Sequence, residues 1–173
     1  MSTSGGSSAL TIEQAASPAQ VEDVRDLLRE YTDWAFTSTS GSKGAPTFEG
    51  LDEELAGLPG EFAPPDGRLL LAALDGHPAG CVALRRHDAT TGEVKRLYVR
   101  PGSRGHRIGE RLVATLLDAA RAIGYRRLVL DSHRTMLRAH EIYRSAGFRI
   151  VEAPADFPEH LRSLAVFMEM DLV

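Results

Sequence analysis

Apolar residues recur along this chain at two alternating spacings, one helical and one extended. Leu10 and Ile12 alternate with polar neighbours and predict a short strand over 9–13. Ser17-Pro18 then opens a helix, serine at the N-cap and proline at the first helical position. Val21, Val24, Leu27, Leu28, Tyr31 and Trp34 fall on one face of it. Residues 37–46 (TSTSGSKGAP) read as a polar loop, 48–58 as a second short helix closed by Pro59-Gly60, and Pro64-Pro65-Asp66-Gly67 as a turn. Beyond that turn the spacing shortens to two. Residues 69–74, 80–86 and 93–99 are three consecutive strands, with Asp75-Gly76 as hairpin turn for the first pair and 89–92 for the second. A meander of antiparallel strands is expected.

The helical period returns at 108. Ile108, Leu112, Val113, Leu116, Ala119, Ala120 and Ile123 form a buried stripe that Gly124 stops. Residues 127–130 predict a short, fully buried strand. A helix over 136–146 ends at Gly147, and strands over 148–152 and 165–170 complete the chain. Residues 1–8 are Ser/Gly-rich and expected to be disordered, leaving 9–173 as one domain of α/β (α+β) class.

Charge is unevenly spread. Residues 1–66 hold 12 acids against 3 bases, a net of −9, whereas 67–173 hold 12 acids against 17 bases, a net of +5. An anionic ligand is expected on the later part and a cationic one near the earlier part. The overall charge of −4 argues against a nucleic-acid partner. Eighteen of the 20 basic residues are Arg, a bias typical of GC-rich bacterial genomes. There is one cysteine, Cys81, placed as a small core residue, so a disulfide framework or multi-cysteine zinc site is excluded. No metal-ligand motif is present; His133 and His140 are expected on the surface. With no apolar run of membrane length and no leader pattern, a cytoplasmic protein is expected.

The segment EVKRLYVRP (93–101) followed by RGHRIG (104–109) carries the sharpest chemical signal. A strand feeds a glycine-bearing turn that opens a helix. Free amides and the positive dipole end of a helix start suit a pyrophosphate. Arg100, Arg104 and Arg107 would add cationic charge, and Gly105 and Gly109 either admit a ligand or permit close helix packing. Neither G-x-x-x-x-G-K-[ST] nor G-x-G-x-x-G is present, which disfavours nucleotide-triphosphate and dinucleotide sites.

Together these segments resemble the GNAT superfamily of acetyl-CoA-dependent N-acetyltransferases. Arg104 and Gly109 fill the first and last positions of its [QR]-x-x-G-x-[GA] motif, while Arg107 occupies the middle glycine position. The flanking KRLYVRP and ERLVATLLDAARAIGYRRLVLD, and the later AHEIYRSAGF, extend the likeness over about 68–152. The resemblance implies a mixed, mostly antiparallel sheet flanked by helices, with a V-shaped splay between the strands at 93–99 and 127–130. Acetyl-CoA would lie in that gap, its pantetheine arm on Leu97, Tyr98 and Val99. Its pyrophosphate would sit on Arg104, Gly105, His106, Arg107, Ile108, Gly109 and Glu110.

Acyl transfer needs a neutral amine. A lysine-like amine (pKa about 10.4) costs roughly 4–5 kcal/mol to deprotonate at pH 7, an α-amine only about 1.4. Tyr143, in the family's tyrosine position, is the candidate acid for the departing thiolate, and Glu93 the candidate base, directly or through water. Asp131 is a second candidate base, or a cap for the following helix together with Ser132. Met136 stands where many members carry Asn. Tyr31, Trp34 and Phe48 are candidate walls for the amine acceptor, with Glu30, Asp33, Glu49 and Glu53 nearby; this suits a cationic or zwitterionic amine. The expected protein is a monomeric or homodimeric enzyme; the alternative is a non-catalytic acyl-CoA-binding module.

Overall fold

The structure is a computed structural model that describes residues 8–38 and 50–172. Phe48, most of the expected 37–46 loop and most of the expected N-terminal tail fall outside that range. Seven strands form one sheet: β1 (Leu10–Gln14), β2 (Arg68–Leu74), β3 (His77–Arg86), β4 (Thr91–Val99), β5 (Arg127–His133), β6 (Arg149–Val151) and β7 (Ala165–Asp171). Among the described residues four α-helices flank it: α1 (Pro18–Ser38), α2 (Leu51–Ala56), α3 (Ile108–Ile123) and α4 (Leu137–Ala146). The strand order is β1-β2-β3-β4-β5-β7-β6. Every neighbouring pair is antiparallel except β4 and β5.

Local chemistry sets the boundaries. Ser17 and Gln20 form a reciprocal capping box at the start of α1: the Gln20 amide donates to Ser17 Oγ at 3.2 Å, and the Ser17 amide to Gln20 Oε1 at 3.0 Å. Asp75 and Gly76 both take positive φ (51° and 81°), the geometry a two-residue hairpin of native twist requires. In the β3–β4 turn, Asp88 Oδ1 accepts from the amides of Thr90 and Thr91, each at 2.8 Å.

Two cores form, one on each face of the sheet. Leu112, Val113 and Leu116 of α3 pack with Val82, Leu84, Val94, Leu128 and Leu130 on one face. On the other, Val24, Leu27 and Leu28 of α1 pack with Phe62, Leu69, Leu71, Cys81 and Tyr98. The predicted α3 stripe is buried except at its margins, where Ala119 and Ile123 are half-exposed. Trp34, expected on the same face of α1, instead stands 36% exposed.

Several predicted segments differ. β5 continues through Asp131, Ser132 and His133, because β7 supplies pairing partners Phe167, Val166 and Ala165. Asp131 and Ser132 therefore do not cap α4, whose N-cap is Met136 without a side-chain hydrogen bond. Nor is β5 buried on both faces: Leu128 and Leu130 are covered, whereas Val129 and Asp131 are half-exposed on the opposite side. His133 and His140 are buried rather than superficial.

Candidate active site

β4 and β5 run parallel for only three pairs, Thr91–Arg127, Gly92–Leu128 and Glu93–Val129. Beyond Glu93 the two strands have no ladder between them. This is the V that the resemblance implied. A β-bulge in β4 falls at the same place: two steps along β3, from Cys81 to Ala83, oppose three along β4, from Tyr98 back to Lys95. Arg96 at the bulge takes φ +62°. Its side chain, only 4% exposed, bonds Glu54 of α2 through Nε at 2.8 Å.

Three spaces that share lining residues lie along β4 at this opening. The first is a largely apolar cleft of about 230 Å³ lined by Tyr31, Trp34, Leu97, Tyr98, Val99, Arg104 and residues 135–139 with Ile142. A narrow throat follows, between Tyr31, residues 94–97, Asp131, Ser132, Ala139 and Tyr143. The third is a polar cavity of about 560 Å³ under α2, walled by residues 57–62, Glu53, Glu54, Arg85, Lys95 and Arg96. Tyr31, Leu97 and Ala139 line both cleft and throat; Lys95 and Arg96 line both throat and cavity.

At the outer end of the cleft, β4 passes through a short 3₁₀ turn, Pro101–Ser103, into α3. The first bond of α3 runs from the Arg111 amide to the Arg107 carbonyl at 3.1 Å, so the amides of Ile108, Gly109 and Glu110 lack intrahelical partners. Arg107 is the N-cap and lies in the left-handed region at φ 55°, ψ 32°. That conformation explains why the family motif carries glycine here. Gly105, at φ +91°, has open space around it. Gly109 serves packing: a Cβ there would meet Ile142 Cδ1 at 2.7 Å. Arg104, His106 and Arg107 are exposed around this turn. Glu110 is held by Arg138 at 2.7 Å, which offsets its charge beside the helix start. Arg100 does not join this cluster. It grips Glu30 of α1 with two bonds of 3.0 and 2.7 Å, which also removes Glu30 from any acceptor wall.

Tyr143 sits in the throat wall, with its ring tilted against Phe148 at 5.5 Å and 60°. Burial pushes its hydroxyl pKa well above the usual tyrosine range, with Tyr31 and Asp131 adding to the effect. It keeps its proton at neutral pH. Burial likewise pushes Tyr31 up to about 12 and Cys81 up to about 12. Glu93 is set back from the throat. Its carboxylate accepts from Arg85 Nε at 2.8 Å and lies 3.5 Å from Lys95 Nζ. Burial works to raise its pKa, but Lys95 and Arg85 outweigh it and the net shift is downward. Glu93 is therefore ionised at neutral pH. Trp34 stacks on Tyr31 (6.3 Å, 21°) and lines the cleft. Glu53 lines the cavity, as does Lys95, which sequence reasoning passed over. Its place in an alternating strand beside Glu93 gave no signal that it would border the throat. Among the described residues no group of three His, Cys, Asp or Glu side chains could hold a metal ion.

The sequence matches the Acetyltransferase (GNAT) family over residues 21–148. An uncharacterised N-acetyltransferase of Schizosaccharomyces pombe is 34% identical over 146 residues, 83% of this chain and 85% of the relative. Among solved structures, a GNAT-family acetyltransferase from Staphylococcus aureus superposes with a TM-score of 0.75 at 19% identity, over 95% of this chain and all of the other. The PaiA N-acetyltransferase of Thermoplasma acidophilum, solved with coenzyme A, gives 0.75 at 19% identity over 94% and 99%. These likenesses and the splayed β4–β5 pair lead to one conclusion: the chain belongs to the GNAT family of acetyltransferases.

Proposed function

We propose that the protein transfers the acetyl group of acetyl-CoA to a primary amine by direct attack within the throat. The observation that carries this reading is that the throat, lined by Tyr143, shares walls with the cleft on one side and the cavity on the other. The free edge of β4 at Leu97, Tyr98 and Val99 offers backbone groups to the pantetheine amides. The amides opening α3, with Arg104 and Arg107 beside them, suit a pyrophosphate. Residues 104–110 thus serve the cosubstrate, and Arg107 contributes through its backbone, since it adopts the glycine-like conformation.

The acceptor enters from the polar cavity. Its neutral nitrogen attacks the thioester carbon; the C–N bond forms, the C–S bond breaks, and the sulfur leaves as a thiolate. Tyr143 donates its proton to that sulfur and is reprotonated from solvent. Glu93, ionised and one step behind Lys95, takes the amine proton through water. Asp131 supports a second reading of the base, because it lines the throat itself. The Glu93→Gln and Asp131→Asn variants separate the two: the true base loses about 10²-fold in kcat/KM, the other much less. Tyr31 borders the reacting centre, while Trp34 covers the cosubstrate side.

Calorimetric titration with acetyl-CoA, then thiol release against a panel of amines, tests the proposal. Micromolar binding with amine-dependent thiol release supports it. Binding without turnover on any amine would favour a non-catalytic acyl-CoA-binding module. No described helix is long and apolar enough to cross a membrane; a cytoplasmic enzyme acting on a small molecule or peptide amine is consistent with that.

A further inference from the structure

Three cationic side chains stand along the polar cavity beyond the throat. Arg85, Lys95 and Arg96 all line it, with side chains 29%, 15% and 4% exposed. Three carboxylates, Glu53, Glu54 and Glu61, line it as well, and Glu93 pairs with Arg85 and Lys95. Glu54 is bound to Arg96 at 2.8 Å. Glu93 gives one oxygen to Arg85 at 2.8 Å and leaves the other 3.5 Å from Lys95. Glu61, the remaining acid paired in this group, is 75% exposed and contacts Arg85. Water screens an acid so exposed. Lys95 is thus a half-buried ammonium whose one carboxylate contact among the described residues is long and shared. Buried charges are ordinarily paired at hydrogen-bond distance, since desolvation is costly otherwise. An ammonium also has three donors to satisfy.

Lys95 also borders both the cavity and the throat. An anion bound to it would therefore lie beside the reacting nitrogen, not at the far end of a long acceptor. We propose, on the basis of the acetyl-transfer reading above, that the acceptor is an amino acid, whose carboxylate Lys95 binds while its neighbouring amine enters the throat.

The test compares free amino acids with their carboxamides and with the corresponding decarboxylated amines. Thiol release is measured at saturating acetyl-CoA, and calorimetric binding is measured to protein loaded with CoA. The carboxamide amine is the less basic, so intrinsic reactivity at neutral pH favours it over the acid. The proposal predicts the reverse order: at least one free amino acid binds and reacts about tenfold or more better than its amide, the size of one charge-assisted hydrogen bond. Lys95→Gln should abolish that preference by raising KM for the acid, and Lys95→Arg should keep most of it. Acetylation of amides or simple amines at equal or higher kcat/KM would overturn the inference while leaving acetyl transfer intact. Failure to bind acetyl-CoA at all would overturn the acetyl-transfer reading and this inference together. Binding of CoA with no amino acid bound to the loaded protein would overturn the inference alone.

Discussion

Arg107 shows how much a single backbone angle can decide. Its φ of 55° puts an L-residue in the left-handed region at the mouth of α3. Such a conformation costs roughly 1–2 kcal/mol, and glycine avoids it while adding some entropy to the unfolded chain. Arg107→Gly should therefore stabilise the protein by about 0.5–1 kcal/mol, a Tm increase of about 2 °C for a chain of this size. Thermal unfolding of the two proteins checks it; a lower Tm for the glycine variant would contradict the strain argument. The motif's first and last positions, Arg104 and Gly109, were legible in the sequence, as was the tyrosine at 143. The side-chain partners were not. Nothing in the spacing of Arg100 shows that it reaches Glu30, 70 residues earlier. Nothing beside Glu93 indicates that Arg85 shares its carboxylate with Lys95, because the Arg85 contact exists only once β3 and β4 are in register.

Elements differ in how plainly they announce themselves. The stripe of α3 and the Asp75-Gly76 hairpin follow from period and turn chemistry alone. β5 was harder to read, because Asp-Ser-His after an apolar run looks like a helix cap until β7 arrives to pair with it. That extension matters, since it carries Asp131 along the wall of the V. The cleft between the end of β4, α1 and the start of α4 also collects exposed apolar side chains. Trp34 and Leu137, 36% and 66% exposed, both line it. Covering them on ligand binding would release ordered water. Trp34 is the only tryptophan in the chain. Titration with CoA should thus change the intrinsic fluorescence, in a saturable way that matches the calorimetric affinity. Saturable binding with no change in Trp34 emission would place the pantetheine elsewhere.

At the scale of the molecule, stability should depend on pH through two buried rings. Burial lowers the pKa of His133, and Arg134 lowers it further; burial and Arg144 lower that of His140, against a smaller opposing bond to the His133 carbonyl. The Nε2 atom of His140 has no hydrogen-bond partner. Histidines depressed in the folded state take up protons on unfolding. Their contribution is complete above the ordinary value of 6.5 and is lost as pH falls below it. The Tm should fall between pH 6.5 and 5, and His140→Gln should flatten that slope; an unchanged slope would assign the acid sensitivity to other groups. The two cores on either face of the sheet hold α3 and α1 against strands that part between them, and in the proposed mechanism cosubstrate and acceptor approach that opening from different sides. The most direct test of that account is the turnover of Tyr143→Phe on an amine that the wild-type protein acetylates, measured beside its affinity for acetyl-CoA. The account predicts a fall in kcat of about 10²-fold with acetyl-CoA affinity unchanged, because only the proton donor is removed. A variant that turns over at the wild-type rate would contradict the role of the throat tyrosine as the acid.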